Sequence, residues 1–482
     1  MNQSAKLIFM LLLGAILIGL YPVRSSSAED PPHIILVMAD DMGWGQTGYQ
    51  NHPILKTPNL DAMAANGLRL DRFYAGGPVC SPTRASMLTG RSHERAGVLS
   101  HGYALRLQEK TLAQALQKAG YATGHFGKWH LNGHRGPGAP IFADDPHNPS
   151  VFGFDEWVSV SNFYDVNPVM SRSGKFEEFS GDSSDIVVNE ATQFLKKHHP
   201  SGKPMFVVIW YGTPHSPFKA LDQDKAEFKD LNAASANHYG ELVAMDRSLG
   251  TLRKSLRDLD IADNTLLVFC SDNGGLPNIK PETVGGLRGN KGTVFEGGIR
   301  VPGVIEWPAV IKPRVTKYPA CVMDLFPTMA EIVGLPEESM IKPLDGISLR
   351  VLFESELEKR SAPIGFRYQT KRAIVTDRYK LLTQNLASEK FELYDLIEDA
   401  KESRDLSEQQ PEIYARLKQD LLQWNASVDA SFAGTDYAIG KLSPPDPEPI
   451  NWFDLPQYKP YLPQWKQRWE YQGYLNRADK SK

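Results

Sequence analysis

Short runs of apolar residues alternate along this chain with longer segments of helical periodicity. The clearest strand candidates are His33 to Met38, Pro204 to Trp210 and Thr265 to Cys270. Helices are predicted for five segments: Asn59 to Asn66, Thr111 to Lys118, Ser184 to His198, Ala236 to Leu259 and Met323 to Val333. This alternation is typical of α/β proteins. We therefore predict an α/β fold with a large mixed, mostly parallel sheet sandwiched by helices.

Polar residues follow each of the three predicted strands. Asp40 and Asp41 come after the first, Pro214 and His215 after the second, and Asp272 and Asn273 after the third. The carboxyl ends of the strands line the ligand crevice in an open parallel sheet. We expect these three segments to meet at one edge of the sheet.

The pattern changes after about residue 355. Four short strand-like pieces precede a predicted helix: Ile364 to Tyr368, Arg372 to Thr376, Tyr379 to Thr383 and Glu392 to Asp395, then Pro411 to Trp424. They indicate a small antiparallel sheet covered by a helix. We predict a main domain over residues 29–355 and a C-terminal subdomain over residues 356–482.

The segment from Pro444 to Tyr474 is rich in proline and aromatic residues, including Trp452, Trp465 and Trp469. Two interpretations are open. In the first, which we favour, the rings are buried against the body of the protein and strap the tail over it. In the second, they form an exposed surface on which a glycan stacks.

Residues 1–28 have the layout of a signal peptide. Lys6 precedes an apolar run from Leu7 to Leu20, and Ser26 and Ala28 fit the −3 and −1 positions of a cleavage site. An uncleaved membrane anchor is the alternative, but the run is short for a span of about 20 residues. We expect an exported protein without stable membrane insertion.

Composition excludes some partners. Without Lys6 and Arg24, 51 basic residues remain against 57 acidic ones, which does not suggest a nucleic-acid partner. An anionic ligand therefore needs a local cluster of positive charge. The chain has three cysteines, Cys80, Cys270 and Cys321, so at least one is free or modified. Cys270 ends an apolar run and is predicted to be buried.

Cys80 begins the most specific motif of the chain. Residues 80–91 read Cys-Ser-Pro-Thr-Arg-Ala-Ser-Met-Leu-Thr-Gly-Arg, with Ser81 a candidate helix N-cap and Gly90 just past the helix end. The motif resembles the formylglycine signature of the type I sulfatases, C-x-P-S/T-x-R. The resemblance implies that a formylglycine-generating or equivalent maturating enzyme oxidises Cys80. The hydrate of that aldehyde would then attack sulfur.

The same resemblance assigns a metal site and a set of catalytic groups. Asp40, Asp41, Asp272 and Asn273, together with residue 80, would hold one Ca²⁺ or Mg²⁺, because both ions prefer oxygen ligands. Each pair alone could be ordinary turn chemistry. The implied catalytic groups are Cys80, Arg84, Lys128 and His130 of a Gly-Lys-Trp-His motif, His215 and Lys291. Lys128, His215 and Lys291 would contact the substrate: the lysines bind sulfate, His130 accepts a proton and His215 is the general acid.

The implied activity is hydrolysis of sulfate esters of a carbohydrate, or of aryl sulfates, with Ca²⁺. Phrases at 42–45, 153–157 and 262–265 resemble the N-acetylgalactosamine-6-sulfatase and arylsulfatase A branch. A phosphatase or phosphodiesterase of the alkaline-phosphatase superfamily and an inactive glycan-binding homologue are the alternatives. A single usable sequon at Asn425 favours a bacterial periplasmic or secreted protein, or a lysosomal one if the source is eukaryotic.

Overall fold

The computed structural model describes residues 30–472 and 474. The predicted signal peptide lies outside the described residues. The described residues from Pro32 onward form one compact unit. The domain boundary after residue 355 stays a prediction.

Strands and helices alternate through the first two thirds of the chain. The strands are β1 His33–Ala39, β2 Leu68–Leu70, β3 Phe73–Tyr74, β4 Ala122–Lys128, β5 His134–Arg135, β6 Glu156–Val160, β7 Val169–Arg172, β8 Lys175–Glu178, β9 Met205–Trp210, β10 Thr265–Ser271, β11 Arg300–Val301, β12 Gly303–Glu306, β13 Arg314–Thr316, β14 Ala320–Cys321, β15 Ile364–Tyr368, β16 Lys371–Val375, β17 Tyr379–Thr383, β18 Glu392–Asp395 and β19 Ile450–Asn451. The helices are α1 Pro58–Asn66, α2 Cys80–Thr89, α3 Leu112–Lys118, α4 Ser183–His198, α5 Ala233–Asp258, α6 Glu296–Ile299, α7 Leu325–Val333, α8 Arg350–Glu354, α9 Pro411–Phe432 and α10 Leu462–Trp465.

Ten strands form the main sheet in the order β13-β2-β12-β10-β1-β9-β4-β6-β7-β8. The five central strands, from β10 to β6, are parallel to one another. Antiparallel pairings occur further out, where β12 joins β10 and β7 joins β6. The carboxyl ends of the central strands therefore lie at one edge, where a crevice is expected.

Helices cover both faces of the sheet, as strand β1 shows. Ile34, Leu36 and Met38 are fully buried in a core that also contains residues of α2, α3, α7 and α8. Ile35 and Val37 are buried in a second core with residues of α1, α4 and α5. Alternate residues of a strand point to opposite faces, so an unbroken apolar run fits a strand covered on both sides.

The predicted fold class is confirmed: the sheet is large and mixed, parallel at its centre, and packed between helices. The three predicted central strands and the five predicted helices are all present, with ends shifted by at most three residues. Thr111 caps α3 reciprocally with Gln114, which explains where that helix begins. The C-terminal helix α9 continues eight residues beyond the predicted end at Trp424.

Strands β15 to β18 form a separate four-stranded antiparallel sheet, as predicted. Helix α9 contributes Leu417 and Leu421 to the apolar cluster on one face of this sheet, with Ile374 and Leu381 opposite. The small sheet thus has its own packed face, covered by one helix.

The aromatic tail is strapped to the body, and this interpretation is confirmed. Trp452, Tyr458, Trp465 and Tyr471 are buried together in one cluster. The indole of Trp452 donates to the carbonyl of Pro137 at 2.7 Å. Buried rings are not available for glycan stacking. Among the described residues, no helix is long and apolar enough to cross a membrane.

Candidate active site

The three strand ends meet at the edge of the sheet, as expected from the sequence. The backbone N–H of Asp41 donates to Oδ1 of Asp272 at 3.0 Å. The amide of Asn273 donates to Oδ1 of Asp41 at 2.8 Å. Nε2 of His215, beyond the end of β9, lies 3.8 Å from Oδ2 of Asp41. Because β10, β1 and β9 are parallel neighbours, residues far apart in sequence become contacts here.

Helix α2 brings Cys80 to the same edge. The helix begins at Cys80, with extended Val79 as its N-cap, and ends at Gly90, whose φ of 70° is left-handed. The prediction that Ser81 caps the helix is wrong. The Ser81 hydroxyl instead donates to the carbonyl of His130 at 2.7 Å and accepts the N–H of Gly102 at 2.9 Å. It therefore ties two loops to the start of the helix, where free N–H groups favour an anion.

Arg84 lies one turn into α2 and is fully buried. Its guanidinium donates to Oδ2 of Asp272 at 2.9 Å and to the carbonyl of Lys128 at 3.2 Å. The ring of Trp210 lies 5.0 Å from its Cζ, a cation–π contact. Arg84 thus orients a carboxylate of the strand β10 edge.

Two lysines complete the cationic part of the site. Lys128 ends β4, and its Nζ donates to Oδ2 of Asp40 at 2.6 Å. Lys291 lies in the loop before α6, and its Nζ donates to Oδ2 of Asp41 at 2.8 Å. Asp41 raises the pKa of Lys291 although burial opposes it. A fixed pair of ammonium groups therefore faces residue 80 across two carboxylates.

The two histidines differ in how they are held. His130 is buried with φ 55°, and neither ring nitrogen has a hydrogen-bond partner in the described part of the chain. Nδ1 of His215 lies 2.6 Å from the carbonyl of Ser216, and its ring stacks on Phe163 at 4.7 Å. Burial and Lys291 lower the pKa of His215 to about 4. Burial and Lys128 hold the pKa of His130 well below its usual range.

The acidic groups divide by their neighbours. Burial opposes ionisation of Asp40, but Lys128, His215, Arg84 and Lys291 outweigh it and hold the pKa of Asp40 below its usual range. Burial and Asp40 raise the pKa of Asp272 to about 8. Burial also raises the pKa of the Cys80 thiol, against the opposing charge of Lys128 and Lys291. Three carboxylates thus face three cations, Arg84, Lys128 and Lys291, and Asp272 is the carboxylate that is hardest to ionise.

The donor set fits a hard divalent cation. Ligand atoms of Asp40, Cys80 and Asp272 lie within 4.8 Å of one another, and so do those of Asp40, Asp41 and His215. Oδ1 of Asp40 and Oδ1 of Asn273 are buried without a hydrogen-bond partner among the described residues. Buried oxygens without a donor are costly unless something else satisfies them. Three carboxylates and an amide are a ligand set that Ca²⁺ and Mg²⁺ accept.

Sequence reasoning missed three contributors: Trp210 beneath Arg84, Phe163 against the His215 ring, and Gly102 beside Ser81. Trp210 ends an apolar run and was predicted only as the last residue of a strand. Phe163 and Gly102 lie in loops where no periodicity indicates a role. Only the tertiary packing of distant segments brings these residues to the site.

The sequence profile of the Sulfatase family matches residues 32–335, and that of the N-sulphoglucosamine sulphohydrolase C-terminal region matches residues 289–427. N-acetylgalactosamine-6-sulfatase of Homo sapiens is 34% identical over 364 residues, covering 67% of this chain and 66% of that protein, so the match spans about two thirds of its length. Arylsulfatase A of Homo sapiens is 32% identical over 359 residues, covering 67% and 68%.

Among solved structures, Ps i-CgsB in complex with k-i-k-neocarrahexaose superposes with a TM-score of 0.72 at 26% identity, covering 82% of this chain and 93% of that one. The predicted resemblance is confirmed, including the branch whose phrases the chain shares. The profile covers both the central strands and the helix that begins at Cys80. The chain therefore belongs to the sulfatase family of hydrolases.

Proposed function

We propose that the protein hydrolyses sulfate esters of a sulfated carbohydrate, or aryl sulfates, with a formylglycine made from Cys80 and one Ca²⁺ per chain. One observation carries this proposal. Cys80 lies at the N-terminus of α2, at the same edge as two lysines, two histidines and three carboxylates. Sulfuryl transfer needs a nucleophile and positive charge around the equatorial oxygens, and this arrangement supplies both.

The anion would be bound by the N-terminus of α2 together with Lys128 and Lys291. Both ammonium groups are at present paired with Asp40 and Asp41 at hydrogen-bond distance. A cation held by the carboxylates would release part of that pairing and leave the lysines free to bind sulfate oxygens. Because the chain as a whole is acidic, with a net charge of −4, this local cluster has to do the binding.

Cys80 as a plain thiol is poorly suited to the reaction. Its burial raises the pKa, so the thiol is neutral near pH 7, and the thiolate is the reactive form. Oxidation to formylglycine would give an aldehyde, and addition of water to it would supply a hydroxyl nucleophile with a second hydroxyl on the same carbon. Ser81 holds His130 and Gly102 against the start of the helix and so keeps the surroundings of residue 80 rigid.

Asp40, Asp41, Asp272 and Asn273, with residue 80, would hold the metal. A bound divalent cation supplies charge that polarises a sulfate oxygen and lowers the pKa of a coordinated hydroxyl. Arg84 orients Asp272 from behind, at 2.9 Å. We favour Ca²⁺ over Mg²⁺, because a site assembled from four side chains on two strand ends suits the more flexible coordination of Ca²⁺.

The histidines would move the protons. The contact of Nδ1 of His215 with the Ser216 carbonyl leaves Nε2 facing the site, where it can donate to the leaving alcohol oxygen. Lys291 lowers the pKa of His215, so a sulfate ester bound against the lysines would raise it again and favour the acid form. Neither ring nitrogen of His130 has a hydrogen-bond partner among the described residues, so His130 would accept a proton when sulfate leaves.

Two alternatives are less well supported. A phosphatase of the alkaline-phosphatase superfamily would use serine or threonine at position 80 and a histidine-rich pair of metal ions. Here the residue is cysteine and the ligand set is mostly oxygen. An inactive glycan-binding homologue has no need for an intact set of proton-transfer groups. The complex of Ps i-CgsB with a neocarrahexaose supports a saccharide substrate.

We also propose that residues 29–355 form the catalytic domain of an exported protein, after removal of residues 1–28. Asn425, the usable sequon, is buried, and its amide donates to Asp429 at 3.1 Å. That position offers no accessible acceptor for a glycan, which favours a periplasmic or secreted bacterial enzyme.

The first experiment asks whether residue 80 is converted. Protein co-expressed with a formylglycine-generating enzyme is digested, and the peptide containing residue 80 is weighed by mass spectrometry. We expect the mass of the aldehyde and sulfate release in proportion to it. Full turnover of sulfate esters by protein that carries only thiol would refute the mechanism.

The second experiment separates the two enzyme classes. Matured protein is assayed with 4-nitrophenyl sulfate and 4-nitrophenyl phosphate under the same conditions. We expect kcat/KM to favour the sulfate. A large preference for the phosphate would establish the phosphatase alternative, and tight binding of sulfated glycan without turnover would establish the inactive one.

A further inference from the structure

We propose that Arg135 forms a second anion subsite beside the sulfate-binding lysines, where it pairs with a further carboxylate or sulfate group of the substrate. This inference rests on the proposed function and adds a requirement to it: the preferred substrate is a saccharide with at least two negative charges. Arg135 does not belong to any of the sequence motifs that define the candidate site.

Arg135 is an arginine without an anionic partner. Within residues 30–472 and 474, no carboxylate pairs with it, and its Nε is buried without a hydrogen-bond partner. Its Cζ lies 5.6 Å from the ring of Tyr103. Arg106 shows the usual situation, because it also packs on aromatic rings but forms two hydrogen bonds with Asp446.

The backbone of Arg135 is held firmly, which gives its side chain a defined origin. Strand β5 pairs in parallel with β19 of the tail, with Asn451 opposite Arg135. The N–H of Ile450 donates to the carbonyl of Gly133 at 3.0 Å. The strapped tail therefore positions an arginine for which residues 30–472 and 474 provide no carboxylate partner.

The stem of Arg135 lies next to the start of α2. A Cβ at Gly102 would come within 2.6 Å of Cγ of Arg135, so the arginine stem packs directly on this glycine. Gly102 in turn donates to the hydroxyl of Ser81 at 2.9 Å, and Ser81 follows Cys80. One glycine thus separates Arg135 from the residue that neighbours the nucleophile. Gly102 has a φ of 76°, which a larger residue adopts only with strain.

His101 reports the electrostatic relation between Arg135 and the lysines. Burial lowers the pKa of His101, and the positive charges of Arg135, Lys291 and Lys128 lower it further. All three cations therefore act on the same imidazole, His101, which is the neighbour of Gly102 in the chain. The positive field extends past the sulfate position towards Arg135.

The chemistry of the group that fits follows from the arginine. A planar guanidinium binds carboxylate or sulfate through two parallel hydrogen bonds. A partly buried arginine without a partner is unfavourable, and a bound anion would offset that cost. The shared ligand chemistry is an oxyanion on the sulfated sugar or on the adjacent one: a uronate carboxylate or a second sulfate.

The test measures binding, so that it does not depend on turnover. The full chain carrying Cys80→Ala is saturated with Ca²⁺ and titrated calorimetrically with three saccharides. These are a methyl glycoside of N-acetylgalactosamine 6-sulfate, its 4,6-disulfate, and the 6-sulfate linked to glucuronate. The background variant is compared with Arg135→Gln, with Arg135→Lys, and with Arg416→Gln as the matched control, since Arg416 is exposed on α9.

We expect one of the dianionic saccharides to bind tighter than the monosulfate, and Arg135→Gln to remove about 10- to 100-fold of that affinity. The monosulfate should lose less than about threefold in the same variant. Arg135→Lys keeps the charge without the planar fork, so it should lose an intermediate amount. The second sulfate and the carboxylate are distinguished by which of the two ligands shows the effect.

Equal affinity for all three saccharides in the background protein would overturn the subsite, and so would an equal loss for all three in Arg135→Gln. Arg416→Gln should bind like the background protein. Failure of the matured wild-type enzyme to release sulfate would refute the proposed function instead, and the calorimetric result would still decide the role of Arg135. If Arg135→Gln unfolds, Arg135→Lys decides alone. An unchanged preference of Arg135→Lys for the dianionic saccharides over the monosulfate would contradict binding by the planar guanidinium.

Discussion

Two buried charged clusters in this protein differ in how completely they are satisfied. Asp324 and Arg360 form a bidentate pair at 2.6 and 2.7 Å. The remaining bonding capacity of Asp324 is taken by the N–H groups of Cys321 and Ile347 at 2.8 Å each. Arg360 also donates to the carbonyls of Ala362 and Pro319. Every polar atom of this pair has a partner.

The cluster around Cys80 is equally buried but incomplete. Oxygens of Asp40 and Asn273, and both ring nitrogens of His130, have no hydrogen-bond partner in the described part of the chain. Asp272 has a pKa raised to about 8 by burial and by Asp40. Every polar atom of the first pair is satisfied within the fold, whereas the second cluster has oxygens and ring nitrogens left over that the proposed metal and substrate would occupy. The difference predicts opposite outcomes for substitutions in the two clusters.

The largest effect is expected at residue 80. Cys80→Ala removes the proposed precursor of the nucleophile and should lower kcat by about 10⁴-fold or more, as the loss of a catalytic nucleophile does elsewhere. The thiol makes no hydrogen bond with any residue that the structure describes, so the free energy of unfolding should change little. Sulfate release and thermal unfolding are measured on the same preparation.

Cys270→Ala is the matched control, because Cys270 is also buried and free but lies within β10. It should lose stability and keep activity per folded molecule. Substantial turnover by Cys80→Ala would remove residue 80 from the mechanism.

The next largest effect concerns the satisfied pair. Asp324→Asn leaves Arg360 as an uncompensated buried charge and should cost about 3–5 kcal/mol of unfolding free energy. Activity per folded molecule should be unchanged, since the pair does not contact the site. Urea unfolding followed by fluorescence gives the free energy, and the slope m checks that the transition is still cooperative.

Asp429→Asn is a suitable comparison, because Asp429 also pairs with an arginine, Arg367, but is half exposed. It should cost about 1 kcal/mol or less. Similar losses for the two variants would mean that burial does not distinguish the pairs.

The incomplete cluster should make the stability of the fold depend on pH. With a chelator present, Asp272 holds its proton in the folded state up to a pKa of about 8, against an ordinary value of 3.8. The unfolded state then binds fewer protons, so stability is fully present below pH 4 and falls as pH rises towards 8. Asp272→Asn should remove this fall, which is on the order of a few kcal/mol.

Calcium provides the control for that experiment. At 100 times its dissociation constant, Ca²⁺ should stabilise the wild type by about 2.7 kcal/mol and the Asp272→Asn variant much less. A wild-type stability that rises between pH 4 and 8 in chelator would contradict the assignment of Asp272 as a destabilised carboxylate.

The smallest effect is expected at Phe163, which stacks on His215. Phe163→Leu removes a ring contact of about 0.5–1.5 kcal/mol and should lower kcat about 2- to 10-fold. Less burial also raises the pKa of His215 from about 4 towards its ordinary value, so the pH profile should move to higher pH. The rate is measured against pH with an aryl sulfate.

Phe142→Leu is the matched control, because Phe142 contacts Phe176 in a tilted arrangement, with ring centroids 4.8 Å apart, next to the aromatic cluster of the tail. It should lower stability without moving the pH profile. An unshifted profile in Phe163→Leu would show that the ring does not act through His215.

Much of the fold could be predicted because its elements are encoded locally. Unbroken apolar runs mark β1, β9 and β10, and helical periodicity marks α1, α3, α4, α5 and α7. The end of α9 was predicted too early, at Trp424, whereas the helix continues to Phe432. No Gly or Pro interrupts that stretch.

The candidate site was found by combining a specific motif with strand ends. Asp40, Asp41, Asp272 and Asn273 converge because parallel strands bring their carboxyl ends together. The capping role of Ser81 could not be judged from sequence, because the competing partners, the His130 carbonyl and the Gly102 N–H, are 49 and 21 residues away. Local propensity assigns a cap, and long-range hydrogen bonds override it.

The sequence by itself determined the elements, the family motif at Cys80 and the residue types that could bind a metal and an anion. Only the tertiary structure decided how these groups are partnered. It paired Arg84 with Asp272, stacked Phe163 on His215, and placed Arg135 opposite Asn451 of the tail with no carboxylate partner in the described part of the chain. The physical reason is the distance along the chain over which each interaction acts. Periodicity and capping act over a few residues. Ion pairs and buried contacts depend instead on how separate segments pack, and those segments can be hundreds of residues apart in sequence.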